Sequence, residues 1–152
     1  LLEPDGLAGV QVITCPNPLY EDYSKRVDWI QKHIFPGSHL PSPRALIENA
    51  ETHGQLETYH MESFGVHYAR TLREWRIQFL KCWDKISRQG FDDAFKRKWE
   101  YYLAYCEAGF LERHVNVCQL ILGRADETAY SYESAHREET LSPQLFRSLT
   151  AL

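Results

Sequence analysis

Two aromatic stripes at helical spacing, set among short apolar runs, constrain this chain more than any other feature. Tyr68, Leu72, Trp75, Phe79, Trp83 and Ile86 recur three or four residues apart, which predicts one amphipathic helix over 68–88. Asp92 is placed to cap another, with Phe95, Trp99, Tyr102, Cys106 and Phe110 along its buried face. Tyr20, Tyr23, Val27, Ile30 and Ile34 form an earlier stripe of the same kind. Ser42-Pro43 supplies an N-cap and a first-turn proline for a short helix that stops near Gly54. Between these lie three strand candidates, Leu7 to Ile13, Leu56 to Glu62 and Val115 to Leu122. Strand, helices, strand, helices, strand fits the closing part of an α/β sheet with an inserted helical layer. Residues 1–6, ahead of the first strand, read as a helix ending in a Pro/Gly turn, an order that suggests the later part of a longer chain. From Arg124 onward the sequence turns polar, with a weak helix at 142–151, and a mobile tail is expected.

Composition excludes several classes. The chain is 43% hydrophobic and 25% charged, so disorder is not the default for its body. A net charge of −4 argues against a general nucleic-acid binder, which needs a basic face. Between Arg70 and Lys98, however, nine Lys or Arg residues stand against Glu74, Asp84, Asp92 and Asp93. That excess is ordinarily the solvated face of two helices; the alternative is a patch that meets anionic phospholipid headgroups. Cys15, Cys82, Cys106 and Cys118 show no CxxC pair, so reduced thiols in a cytoplasmic compartment are the simpler account than zinc or disulfides. The seven His residues show no HExxH and no i,i+4 pair, which argues against a metal site. No apolar stretch approaches the length of a membrane span, and no secretory leader pattern is present.

Three ordered motifs carry a resemblance. The first is Ile30-Gln31-Lys32-His33-Ile34-Phe35-Pro36-Gly37 followed by Leu40-Pro41-Ser42; the second runs from Glu62 through Phe64-Gly65-Val66-His67-Tyr68 to Leu72. The third is Glu100-Tyr101-Tyr102-Leu103-Ala104-Tyr105-Cys106-Glu107-Ala108-Gly109-Phe110. Together they resemble the C-terminal half of the cyclopropane-fatty-acyl-phospholipid synthase family, S-adenosylmethionine-dependent methyltransferases of which the mycolic acid cyclopropane synthases are members. The resemblance runs from Leu1 to about Gly123. It implies an α/β fold, the C-terminal part of a Rossmann-like class I methyltransferase with inserted helices. It also implies a division into residues 1–123, the latter half of the methyltransferase domain, and 124–152, a tail without a counterpart in the family. Leu-Leu-x-Pro-Asp-Gly before an apolar strand resembles the turn that introduces the fifth strand of such folds, so the earlier strands and the glycine-rich cofactor loop would lie upstream. No residue here is assigned to S-adenosylmethionine.

The resemblance implies demanding chemistry. An alkene is a poor nucleophile, methyl transfer from the sulfonium leaves positive charge on carbon, and a base must then take a proton before the ring closes. In the family a bound bicarbonate is thought to be that base, held by a tyrosine hydroxyl, a backbone amide and polar side chains. Those positions fall on Tyr68, on the N–H of Ile13, and on Gln11, where some members carry His. Gln can donate a hydrogen bond but cannot titrate. Taken alone, Tyr68 opening a helix beside Leu72 and Trp75 is a core residue, and the motif around it is what gives it a role. The acyl wall implied by the resemblance comprises Phe35, Leu40, Leu72, Cys106 and Phe110, each of which is otherwise simply core, and it asks that they converge on one hollow. The expected activity is conversion of unsaturated phospholipid acyl chains, met at a cytoplasmic membrane surface, to cyclopropane fatty acids, with oligomeric state open. Two alternatives stand beside it: a methyltransferase of the same scaffold acting on an amine or adding a methyl branch, and a catalytically silent lipid-binding piece.

Overall fold

In the computed structural model, residues 2–3 and 6–124 are described, and three strands pair around the last of them. Strand β1 (Leu7–Thr14) and strand β2 (Leu56–Ser63) each run antiparallel to β3 (Asn116–Arg124), giving the order β1-β3-β2. β1 and β2 are therefore parallel to each other, and the chain between them makes a long helical crossover. That crossover holds α1 (Asn17–Ser24), α2 (Trp29–His33) and α3 (Pro43–Thr52). The connection from β2 to β3 holds α4 (Gly65–Lys81), α5 (Trp83–Ser87) and α6 (Asp93–Leu111). The expected helix at 1–6 and the tail with its helix at 142–151 involve residues outside those described, although Gly6 N–H does donate to the Glu3 carbonyl.

Side-chain caps set the starts of three of the six helices described. Ser42 accepts from the N–H of Ala45 ahead of Pro43, and Asp92 accepts from the N–H of Phe95, both as their sequences imply. Where the structure departs from periodicity, a cap or a turn is the cause. The stripe over 20–34 becomes two short helices because Asp28 and Gln31 form a reciprocal capping box that starts α2 afresh. Val27, a stripe residue, falls in the break and is 75% exposed. The 68–88 helix likewise starts earlier, at Gly65, and divides at Cys82 into α4 and α5.

Each sheet face has its own packing, as the two-residue alternation of strands requires. On one face Cys118, Leu120 and Leu122 of β3 meet Leu46, Ile47 and Ala50 of α3. On the other Val117 meets Ala69 and Leu72 of α4 and Leu103 and Phe110 of α6. Leu72 is only 2% exposed at the centre of this second cluster. Replacing it with Ala removes buried methyl groups and leaves a void, so Leu72→Ala should lower unfolding free energy by about 2–5 kcal/mol in urea titrations. A loss below about 0.5 kcal/mol would mean that α4 does not pack as described.

Candidate active site

The site is built where α4 leaves the sheet. Asn116, the first residue of β3, accepts hydrogen bonds on its Oδ1 from the N–H groups of Gly65 (2.8 Å) and Val117 (2.9 Å). A Cβ on residue 65 would sit 2.5 Å from that oxygen, so only glycine fits, and the start of α4 is fastened to the sheet. One turn later Tyr68 lies over Phe110, ring centroids 5.1 Å apart, with Trp75 edge-on at 6.0 Å. Its ring is half-buried. Burial, and secondarily the nearby Cys106, raises its phenol above the usual value, so at neutral pH Tyr68 is a neutral O–H donor.

Beside it, Tyr102 and Cys106 share a side-chain hydrogen bond one turn apart on α6. Desolvation pushes the Tyr102 phenol up to about 12 and the Cys106 thiol up to about 11. Three neutral polar groups thus sit in an aromatic, poorly solvated cluster that includes Trp99 and Phe79. Two arginines of α4 are tied to α6: Glu107, 7% exposed, holds Arg73 Nε at 2.7 Å and Arg76 Nη2 at 3.4 Å.

The β1 residues are placed by pairing parity. Phe64 N–H donates to the Val117 carbonyl, so the polar groups of Val117 face β2. Ile13 is the β1 partner of Val117, hence a non-hydrogen-bonded pair whose N–H and C=O point to the outer edge of β1. Among the described residues no strand pairs with that edge. The Ile13 side chain packs with Tyr68 against the same buried cluster. Gln11, two residues back and exposed, accepts from Gln119 Nε2 at 2.8 Å, which leaves its own amide donors available.

Of the five acyl-wall residues, Leu72, Cys106 and Phe110 share this cluster with Tyr68. Phe35 joins at the rim, edge-on to Tyr102 at 5.9 Å and 49% exposed. Leu40 stands apart, its N–H donating to the Tyr23 hydroxyl. A hollow of about 430 Å³ opens at the carboxyl ends of β1 and β2, lined by Thr14, Ser63, Val66, Phe110, Arg113 and Asn116 among others. It shares only Phe110 with the five.

The profile of the mycolic acid cyclopropane synthetase family matches residues 1–120. The chain belongs to that family. It is 42% identical over 124 residues to the tuberculostearic acid methyltransferase UfaA1 of Mycobacterium tuberculosis, covering 82% of this chain and 29% of that protein. To the cyclopropane-fatty-acyl-phospholipid synthase of Escherichia coli K12 it is 36% identical over 109 residues, 68% of this chain and 28% of the other. The crystal structure of mycolic acid cyclopropane synthase CmaA1 complexed with SAH and CTAB superposes with a TM-score of 0.66 at 24% identity, over 80% of this chain and 45% of that one. This cyclopropane synthetase family member therefore has the expected α/β methyltransferase fold, and spans under a third of the length of the two curated relatives.

Tyr102 and Glu107 are the residues that sequence reasoning left unassigned. Tyr102 lies in the predicted stripe, but only its hydrogen bond to Cys106 distinguishes it from any other core aromatic. The raised Cys106 thiol has a measurable sign. The folded protein holds this proton above pH 9, where a solvated thiol has lost its own, so stability should fall as pH rises from about 9 to about 11. Urea midpoints measured across that range should drop more steeply for the native sequence than for Cys106→Ala. Parallel curves would remove Cys106 from the buried cluster.

Proposed function

We propose that this chain forms the acyl-binding part of an S-adenosylmethionine-dependent lipid methyltransferase, acting on the double bond of unsaturated phospholipid chains to give cyclopropane fatty acids. The observation that carries the reading is a neutral, half-buried Tyr68 hydroxyl in an aromatic cluster that also receives Ile13, whose amide faces the outer edge of β1. S-Adenosylmethionine, when bound, supplies an electrophilic methyl group; the residues that would hold it are assigned outside this chain, with 1–123 the latter part of the catalytic domain and 124–152 an appendage to it.

The donors present suit a small oxyanion such as bicarbonate. Tyr68 offers an O–H, Ile13 an N–H unused by β3, and Gln11 a carboxamide NH₂, all without a formal charge. Tyr68, Trp75, Phe110 and Tyr102 present ring faces and edges that would stabilise positive charge on substrate carbon while excluding water. Leu72, Cys106 and Phe110 would flank the chain, with Phe35 at its entrance and Leu40 further out. Four free thiols support a cytoplasmic setting. No helix among the described residues is long and apolar enough to cross a membrane, so the lipid would be met from the surface.

A second reading, addition of a methyl branch, is favoured by the 42% identity to a tuberculostearic acid methyltransferase against 36% to the phospholipid cyclopropane synthase. The full-length protein incubated with labelled S-adenosylmethionine and monounsaturated phospholipid vesicles should place label in the lipid. Proton spectra of the product separate a ring from a branch, and unlabelled lipid would reject both readings. Tyr68→Phe keeps the ring and deletes the donor, so turnover should fall about a hundredfold with the fold intact. An unchanged rate would take Tyr68 out of the mechanism.

A further inference from the structure

The outward face of α6 is built differently from its buried one. Arg97, Lys98, Tyr101 and Tyr105 fall on one side of the helix by their three- and four-residue spacing, and all are exposed, the two tyrosines by 50% and 42%. Trp29 of α2 lies against both rings, 4.6 Å from Tyr101 and 6.3 Å from Tyr105 between centroids. In sequence on either side of Trp29, α2 and the turn before it add the exposed cations Arg26 and Lys32, and Val27 at 75% exposure. Arg26, Lys32, Arg97 and Lys98 enter no ion pair among the described residues. The one carboxylate at the start of α2, its N-cap Asp28, accepts from the N–H of Gln31.

We propose that this α2–α6 face docks on an anionic phospholipid bilayer. The proposal rests on the lipid-modifying reading above and names the surface through which it would operate. Charge complementarity is the first argument. The chain carries a net charge of −4, so attraction to an anionic surface must come from local unpaired cations: Arg97 and Lys98 lie on the tyrosine side of α6, and Arg26 and Lys32 lie three residues either side of Trp29 in sequence. Chemistry is the second. Trp and Tyr with an apolar ring and a polar tip are the residues that settle at a headgroup boundary, and Trp29, Tyr101 and Tyr105 lie interlocked on this face. Position is the third. Tyr102, one residue round the helix from Tyr101, turns inward beside Cys106, and Phe35 of the same α2 loop covers it. A lipid chain leaving the bilayer at this face would therefore meet Phe35 first.

The basic run seen in the sequence is thereby redistributed. Arg73 and Arg76 are held by Glu107, and Lys96 lies 5.2 Å over the Trp83 ring. Arg97 and Lys98, at its far end, join the aromatic face instead.

Co-sedimentation of the full-length protein with phosphatidylglycerol–phosphatidylcholine vesicles and with phosphatidylcholine vesicles tests this. Affinity for the anionic vesicles should fall at least about tenfold in Arg97→Glu/Lys98→Glu, since each cation near the surface contributes on the order of 1 kcal/mol. Lys85→Glu/Arg88→Glu, the same charge change on α5, should stay within about twofold of the native protein. Tyr101→Ser/Tyr105→Ser should weaken binding to both vesicle types. Circular dichroism establishes that each variant is folded. Equal losses in the two charge-reversed proteins, or unchanged vesicle affinity in the α6 variants as a protein-binding face would give, overturn the proposal. Sedimentation needs no turnover: vesicle binding without methyl transfer would sink the enzymatic reading and leave this surface standing.

Discussion

The packing of α4 against α6 over Val117 is the contact on which the rest of the structure depends. Ala69 and Leu72 from one helix and Leu103 and Phe110 from the other close over a single residue of the central strand. At the edge of this apolar seam Glu107 is nearly buried between two arginines. Such a triad is weak evidence for added stability, because desolvation of the charges offsets much of their attraction. Its geometric effect is clearer. A carboxylate on α6 bridged to two turns of α4 resists sliding between the helices, and sliding is what would separate Tyr68 from Phe110 and Cys106.

The second constraint is the antiparallel strand inserted between two parallel ones. β3 assigns one face of the sheet to α3 and the other to α4 and α6, because its residues alternate between Val117 and Cys118. Cys118 is fully buried, yet its sulfur has two partners, Thr14 Oγ1 at 3.4 Å and Ser63 Oγ at 3.3 Å, one from each neighbouring strand. These contacts fasten the carboxyl ends of β1 and β2 to the start of β3. The same register decides that the amide of Ile13 faces outward. A shift of one residue would turn it inward to the ladder and move its side chain to the opposite face.

Much of this was legible beforehand, for identifiable reasons. Ser42 and Asp92 are local caps whose effect needs no tertiary partner, and the stripe through Tyr102, Cys106 and Phe110 is long enough to outvote noise. The earlier stripe misled because Asp28 and Gln31 close a local capping box that competes with periodicity and wins. The outward amide of Ile13 could not be read from its own strand, since it depends on Val117, 104 residues later by the numbering of the pair. Glu107 was illegible for a related reason: a Glu within a helix is normally solvated, and only the approach of α4 reveals its two arginines. The acyl-wall positions were separated by the fold itself, with three in one cluster, Phe35 at its rim and Leu40 beside Tyr23.

The disposition of charge explains why these features belong together. In the proposed reaction positive charge would develop on substrate carbon, and a Lys or Arg holding the anion would oppose that charge and weaken the anion as a base. Neutral donors avoid that conflict. Beside Tyr68 the cluster holds the phenol of Tyr102 and the thiol of Cys106, and burial keeps both protonated. Arg73 and Arg76 of α4 share the single carboxylate of Glu107. Unpaired cations also stand on the outer side of α6 and on α2, where water screens them from the interior and an anionic surface could use them. A single helix thus separates the two environments, with Tyr102 and Cys106 facing one and Arg97, Lys98 and Tyr101 the other. Rotating α6 by a quarter turn would place cations against the aromatic cluster, which is why the helix needs both its apolar seam and the Glu107 bridge to hold its angle.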